Sequence, residues 1–358
     1  MKDAGVYVIL LNAFKRERRR VKYLCSLVLA IMICFGAAAE EYISPTTGLP
    51  LNGEPVAPML AVISHSFGET EVNAHKVKAA GVGKRQAWGG QQADIIYESI
   101  LYQPGCSRFV YLFHDALANG EQVEAGPLRS VRDLHIQLSL MWNAGLIYGS
   151  GNRLTTPALD ELGERSMDSG MEHVRPYITM VRRMAPDNRS ADVTALHGLL
   201  TDQTFAGQGF LFTDDAPDAA LPAVNELHLQ WGEEGDQTWT THFAYDEVSG
   251  RYLCYTGKAP LKNFHDTAFD QESQLCFDNV IIQYAPISYP VSQMMPQVDL
   301  TAGGRALILR GGKLQHGQWV SQNGHICWVD ENGNELPLSR GKTYIAVWPD
   351  DCEQIEYQ

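Results

Sequence analysis

"ADIIYESILYQPGCSRFVYLFHD" occupies positions 93–115 and contains two apolar runs, 93–101 and 107–115, joined by the short "YQPGC". Both runs are rich in β-branched and aromatic residues and are strand-length, so the stretch predicts a β-hairpin. Working outward, "MLAVISH" (59–65) is a further buried-strand pattern, and "GLIYGSG" (145–151) is a strand ending in a glycine-rich turn. Helical patterns lie between and after them, over 128–142, 155–165 and 191–200. In the first, Leu134, Leu138 and Met141 keep a three-four spacing, and Pro127 sits where a helix start tolerates proline.

The second half changes character. "FTDDAPDAALPAVNE" (212–226) reads as a linker. After it come strand patterns only: "LHLQW", "TWTTHFAYD", "RYLCYT", "DNVIIQYA", "RALILR", "GQWVSQ", "HICWVD" and "TYIAVW". The expected class is α+β: a mixed α/β domain over 45–205, a linker over 206–224, and a β-rich domain over 225–357.

The first 39 residues read as an export signal. "KRERRRVK" (15–22) is a basic region, "YLCSLVLAIMICF" (23–35) is apolar but short for a membrane span, and "GAAAEE" supplies an A-x-A site. Cleavage is expected after Ala39, with an uncleaved N-terminal tether as the alternative. Ile33 before Cys34 is a poor lipidation context. Removing seven Lys/Arg and two Asp/Glu from totals of 28 and 42 leaves 21 basic and 40 acidic residues, net −19. That field disfavours nucleic acid and anionic membrane as partners. The expected location is extracytoplasmic. Five cysteines then remain. Cys254–Cys276 and Cys327–Cys352 are expected as bridges, though four cysteines admit three connectivities. Cys106 is left over as a buried small residue.

In order along the chain, "TGLP" (47–50), "ADIIYE", "SRFVYLF" and "GPLRSVR" (126–132), then "YDEVSGRYLC", "FDNVIIQ" and "DENGNELPLSRGKTYIAVWP", resemble the YerB-like family, known as domain of unknown function 3048. The resemblance covers roughly 44–350. It implies a two-domain extracytoplasmic protein, often a lipoprotein, and implies no reaction. Three features depart from that pattern. Tyr148 and Asp187 stand where relatives often carry histidine, and the lipidation motif is missing.

Candidate chemistry concentrates in the first half. Arg129 and Arg132, placed three apart at the start of the expected helix, would present a cationic face beside a helix N-terminus. With Arg85, Arg108, Arg183 and Asn188 they form the expected binding set, since guanidinium groups suit planar oxyanions. Internal pairing with Asp94, Glu98, Asp115 or Asp133 is the competing expectation. Glu98 and His114 are the candidate catalytic groups. Asp115 follows His114 directly and, on a strand, would face away from it. The four tryptophans Trp239, Trp319, Trp328 and Trp348 are expected in the core. Nucleophile motifs, zinc spacings and dinucleotide fingerprints are all missing from the sequence, so no cofactor or metal is expected.

The leading expectation is therefore a binding protein for an anionic envelope component or a partner protein. A cell-wall-directed hydrolase or transferase using Glu98 and His114 is the first alternative, and a structural assembly factor the second.

Overall fold

The computed structural model describes residues 42–64, 87–101, 107–152, 154–181, 187–232, 240–256, 259–260, 262–265, 268–292, 295–352 and 355–358. Residues 1–39, expected from the sequence to direct export, lie outside them, as do Arg85, Cys106, Arg183 and Trp239. Among the described residues no helix is long and apolar enough to cross a membrane.

The expected hairpin forms. Strand β1 is Met59–Ser64, β2 is Ile95–Ile100 and β3 is Ser107–Phe113. Strand β3 pairs antiparallel with both β2 and β1. After β3 the chain makes the short helix α1 (Asp115–Ala118), then α2 (Asp133–Trp142), β4 (Gly145–Tyr148), α3 (Thr156–Glu161), β5 (Ser166–Asp168) and α4 (Val193–His197). Further along the chain lie the strands β6 (Glu226–Gln230), β7 (Thr240–Asp246), β8 (Arg251–Thr256), β9 (Cys276–Phe277), β10 (Asn279–Ala285), β11 (Gly304–Arg310), β12 (Lys313–Gln322), β13 (His325–Val329), β14 (Thr343–Pro349) and β15 (Ile355–Tyr357). A mixed N-terminal region is followed by a largely β C-terminal region, the expected α+β class.

One ten-stranded sheet runs through both regions, in the order β13-β12-β11-β10-β14-β2-β3-β1-β4-β5. Strand β14 lies between β10 and β2 and is parallel to both. Because β1 is parallel to β4, and β4 to β5, the strands β10, β14, β2, β1, β4 and β5 all point the same way. Both faces of this sheet are covered, which is why its central strands read as unbroken apolar runs rather than alternations. One face (Leu60, Val62, Tyr97, Val110, Ile345) packs on α2 through Leu134, Leu138 and Trp142. The other (Ala61, Ile63, Ile96, Phe109, Tyr344) packs on a six-stranded sheet through Leu227, Leu229 and Phe243. That second sheet contains β8-β7-β6-β15, with Ala259–Pro260 and β9 both paired to β8. Burying each large aliphatic side chain stabilises such a core by about 1.5–3 kcal/mol. Trp319, Trp328 and Trp348 all lie in it, as expected.

Two expectations are corrected. The first helix starts at Asp133, not 128. Residues 128–131 are drawn into neighbouring strands: Arg129 N donates to Val62 O at 2.8 Å and Val131 N to Ser150 O at 3.0 Å. Arg132 is therefore the N-cap, and Arg129 is not on that helix at all.

The expected disulfides are also overturned, because Cys254, Cys276, Cys327 and Cys352 are free thiols. Cys276 is paired in register with Leu253, so Cys254, one residue on, projects from the opposite face of the sheet. Cys327 lies on β13, and three strands separate β13 from β14, after which Cys352 follows. Four strand spacings are about 19 Å, against the roughly 7 Å limit between Cα atoms for a bridge. Titrating the unfolded, non-reduced protein with a thiol reagent should find all four reactive. A gain in any of them on adding reductant would contradict this arrangement.

Candidate functional site

The shared strand direction gives the ten-stranded sheet two unlike edges. At one edge lie the carboxyl ends of β1, β2 and β4 and the start of β3, the side on which open α/β sheets hold ligands. Arginines gather there. Arg108 opens β3 opposite Ser64, the last residue of β1, and its Nη1 donates to Ser130 O at 2.8 Å. Arg129 Nε donates to Ser64 Oγ at 3.3 Å, and its Nη2 pairs with Asp187 Oδ1 at 3.1 Å. Arg189 Nη1 donates to Gly149 O and to Ser169 Oγ, both at 2.8 Å. The main chain ties these residues together: Gly149 N donates to Arg129 O, and Leu128 N to Arg189 O. Ser130 and Ser150 share a hydroxyl hydrogen bond at 2.8 Å.

Arg132 flanks the group at the start of α2, with Nη1 on Val131 O. His135, one turn on, accepts from Arg132 N through Nδ1 at 2.9 Å. Burial holds the His135 imidazole well below its usual range, and the charges of Arg108 and Arg132 push it the same way. The local field is therefore positive in a chain of net charge −14.

The opposite edge, at the amino ends of β1, β2 and β14, carries a buried carboxylate network. Asp94, just before β2, accepts from Thr46 Oγ1 (3.0 Å), His114 N (2.7 Å) and Asp115 N (2.9 Å). Burial raises its pKa, and the neighbouring Asp115 charge raises it further. Asp115 accepts from Ser44, Thr47 and Thr46. Burial alone would raise the Asp115 pKa, but hydrogen bonds from His114, Ser44 and Thr47 outweigh it and hold the carboxyl low. Lys342, next to β14, is half-buried and feels the Asp94 charge, and its partial burial lowers its pKa.

His114 and Asp115 do meet, contrary to the sequence expectation: Nδ1 lies 2.8 Å from Oδ1. The strand stops at Phe113 and the chain turns into α1, so the alternation of strand side chains no longer applies. Nε2 accepts from Val56 N at 3.3 Å, which leaves Nδ1 as the proton-bearing atom facing Asp115.

The candidate catalytic pair is split. Glu98 lies four residues beyond Asp94, and His114 sits beside Asp94, so the two are separated by roughly 13 Å of strand. Glu98 is fully buried and accepts from Thr241 Oγ1 at 2.7 Å and from the hydroxyls of Ser107 and Tyr344. Of the expected binding set, the structure brings together Arg108, Arg129 and Arg132. Asn188 lies next to Asp187, with its carbonyl taken by Val181 N. The acidic partners considered from sequence are engaged elsewhere, Asp133 by Gln137. Sequence reasoning missed Arg189 and His135 as members of this edge. It singled out Asp187 only as a departure from the family pattern.

Two family models match the chain. The N-terminal domain of a protein of unknown function (DUF3048) matches residues 74–206, and the C-terminal domain of the same protein matches residues 228–345. None of the curated proteins matches it. The chain is similar in fold to the crystal structure of the YerB protein from Bacillus subtilis, with a TM-score of 0.68 and 19% identity over 88% of this chain and 99% of that one.

Proposed function

From the premise that this chain belongs to the DUF3048 family, we propose that it is an extracytoplasmic, non-catalytic protein that binds an anionic cell-envelope component at its arginine-rich sheet edge. The observation that carries the reading is the convergence of Arg108, Arg129 and Arg189 on Ser64, Ser130, Gly149 and Ser169. Main-chain carbonyls and hydroxyls fix the guanidinium groups before any ligand arrives, so less side-chain freedom is lost on binding. The N-terminal family match spans Arg108, Arg129, Arg132 and Arg189. The basic leader at 15–22 with its apolar run supports export.

The chain's net negative charge makes diffuse polyanion binding unfavourable, so affinity for an anion would have to come from this edge. Calorimetric titration with a short poly(glycerol phosphate) is the test, with a neutral glycan as control. Arg132→Ala and Arg189→Ala should each weaken binding by about 1.5–3 kcal/mol, the scale of a charge-assisted hydrogen bond. Equal affinity in wild type and both variants, or no heat with the poly(glycerol phosphate), would reject the reading.

A further inference from the structure

The outward face of the six-stranded sheet, on the far side from its core contacts, carries a cluster unrelated to the arginine edge. Strands β6 and β7 pair antiparallel with His228 directly opposite His242. The two imidazoles stack with centroids 4.0 Å apart and planes 7° from parallel. Glu226 is two residues before His228 on the same strand, so it shares that face. Its Oε2 lies 3.5 Å from His228 Nε2 and 3.8 Å from His242 Nε2. Each residue thus offers one ligand atom, all within 4.8 Å of one another. Glu356, opposite His228 on β15, extends the same row.

We propose that Glu226, His228 and His242 form a binding site for a divalent transition-metal ion of the zinc class. Two imidazoles and one carboxylate are the donor set such ions favour, and that set leaves a coordination position open. A second observation points to a ligand. His242 Nε2 is a buried atom with no hydrogen-bond partner, and it faces the Glu226 carboxylate beyond hydrogen-bond distance. A cation between them satisfies that nitrogen and removes the cost of leaving it bare.

The sheet supplies the pre-organisation. Adjacent strands fix the two histidine backbones, and Tyr255, next in the row, stacks on His242 at 5.2 Å and 27°. The lone pairs of stacked rings run side by side, so capture requires one ring to turn. His228, with a side chain 42% exposed, is the one with room to do so. Gln358 Nε2 donates to Glu226 Oε2 at 3.3 Å and steadies the third ligand.

The experiment uses the whole chain, freed of metal by chelation and titrated with Zn²⁺ by calorimetry and with Co²⁺ by visible absorption. One ion per chain is expected, with a Co²⁺ ligand-field band. His242→Ala and His228→Thr should each weaken Zn²⁺ binding by roughly 100-fold, and Glu226→Gln by about tenfold. No binding, or affinity unchanged in His228→Thr, overturns the site. Should His242→Ala fail to fold, His228→Thr still decides, because that outward side chain contributes little to the core.

Discussion

Replacing Glu98 by glutamine is expected to flatten the protein's loss of stability as pH rises from about 5 to 8. Burial pushes the folded Glu98 carboxyl up to about 8 from its ordinary 4.5, although hydrogen bonds from Ser107, Thr241 and Trp231 pull the other way. Between those two values the folded chain holds a proton that the unfolded chain has released. The group's contribution is therefore fully present below about pH 4.5. It is lost on the way up to pH 8, at no more than about 1.4 kcal/mol per pH unit. Glutamine keeps the neutral shape and has nothing to titrate. Ser107, Thr241 and Tyr344 meet the site through hydroxyls, which both donate and accept, so they can adapt to an amide. Glu98→Ala instead strands those hydroxyls and opens a void, and should cost about 3–5 kcal/mol at pH 5, a deficit that shrinks toward pH 8 as the wild type loses the Glu98 contribution. Urea denaturation at pH 5, 6.5 and 8 reads all three proteins. A glutamine variant with the wild-type pH slope would rule this assignment out.

Arg129→Ala is the second large effect. Arg129 faces Asp187, a carboxylate whose side chain is only 3% exposed. Removing one partner of a buried pair typically costs about 3–5 kcal/mol, and the partial exposure of Arg129 brings the expectation here to about 2–4 kcal/mol. The double variant Arg129→Ala/Asp187→Asn, which removes both charges, should recover a large part of that loss. Strict additivity of the two single variants would mean the pair is not coupled. An arginine serving only a ligand makes the opposite forecast, a single variant that unfolds with the wild type.

The strands were legible because their signal is local. "MLAVIS", "IIYESI", "SRFVYLF" and "TYIAVWP" announce themselves by composition, and each became a fully buried strand. The eight C-terminal strand patterns likewise correspond to β6–β8 and β10–β14. The start of α2 was not legible. Nothing in "GPLRSVR" reveals that Val62 O and Ser150 O compete for its amides, and those partners are remote in sequence. The same limit explains the disulfides, since cysteines close in sequence can project from opposite faces of a sheet.

The candidate site was half legible. Arginine-rich segments identified Arg108, Arg129 and Arg132, whereas Arg189 carries no signal beyond its residue type. Asp187 as the partner of Arg129 is a fact of the fold. The histidine cluster of the second sheet has no motif because its ligands come from two strands, where only register makes neighbours.

The insertion of β14 between β2 and β10 bears on how the chain can acquire its shape as it is synthesised. Ile95 pairs with Thr343, so one flank of β2 stays bare until a segment nearly 250 residues downstream has been made and has arrived. A chain emerging amino end first would hold an open strand edge, the usual template for intermolecular pairing, for almost the whole of its synthesis. Vectorial assembly, one region completing itself before the next appears, is closed to this topology. The first region can condense early, but its sheet is sealed only by the last strand of the ten to be threaded.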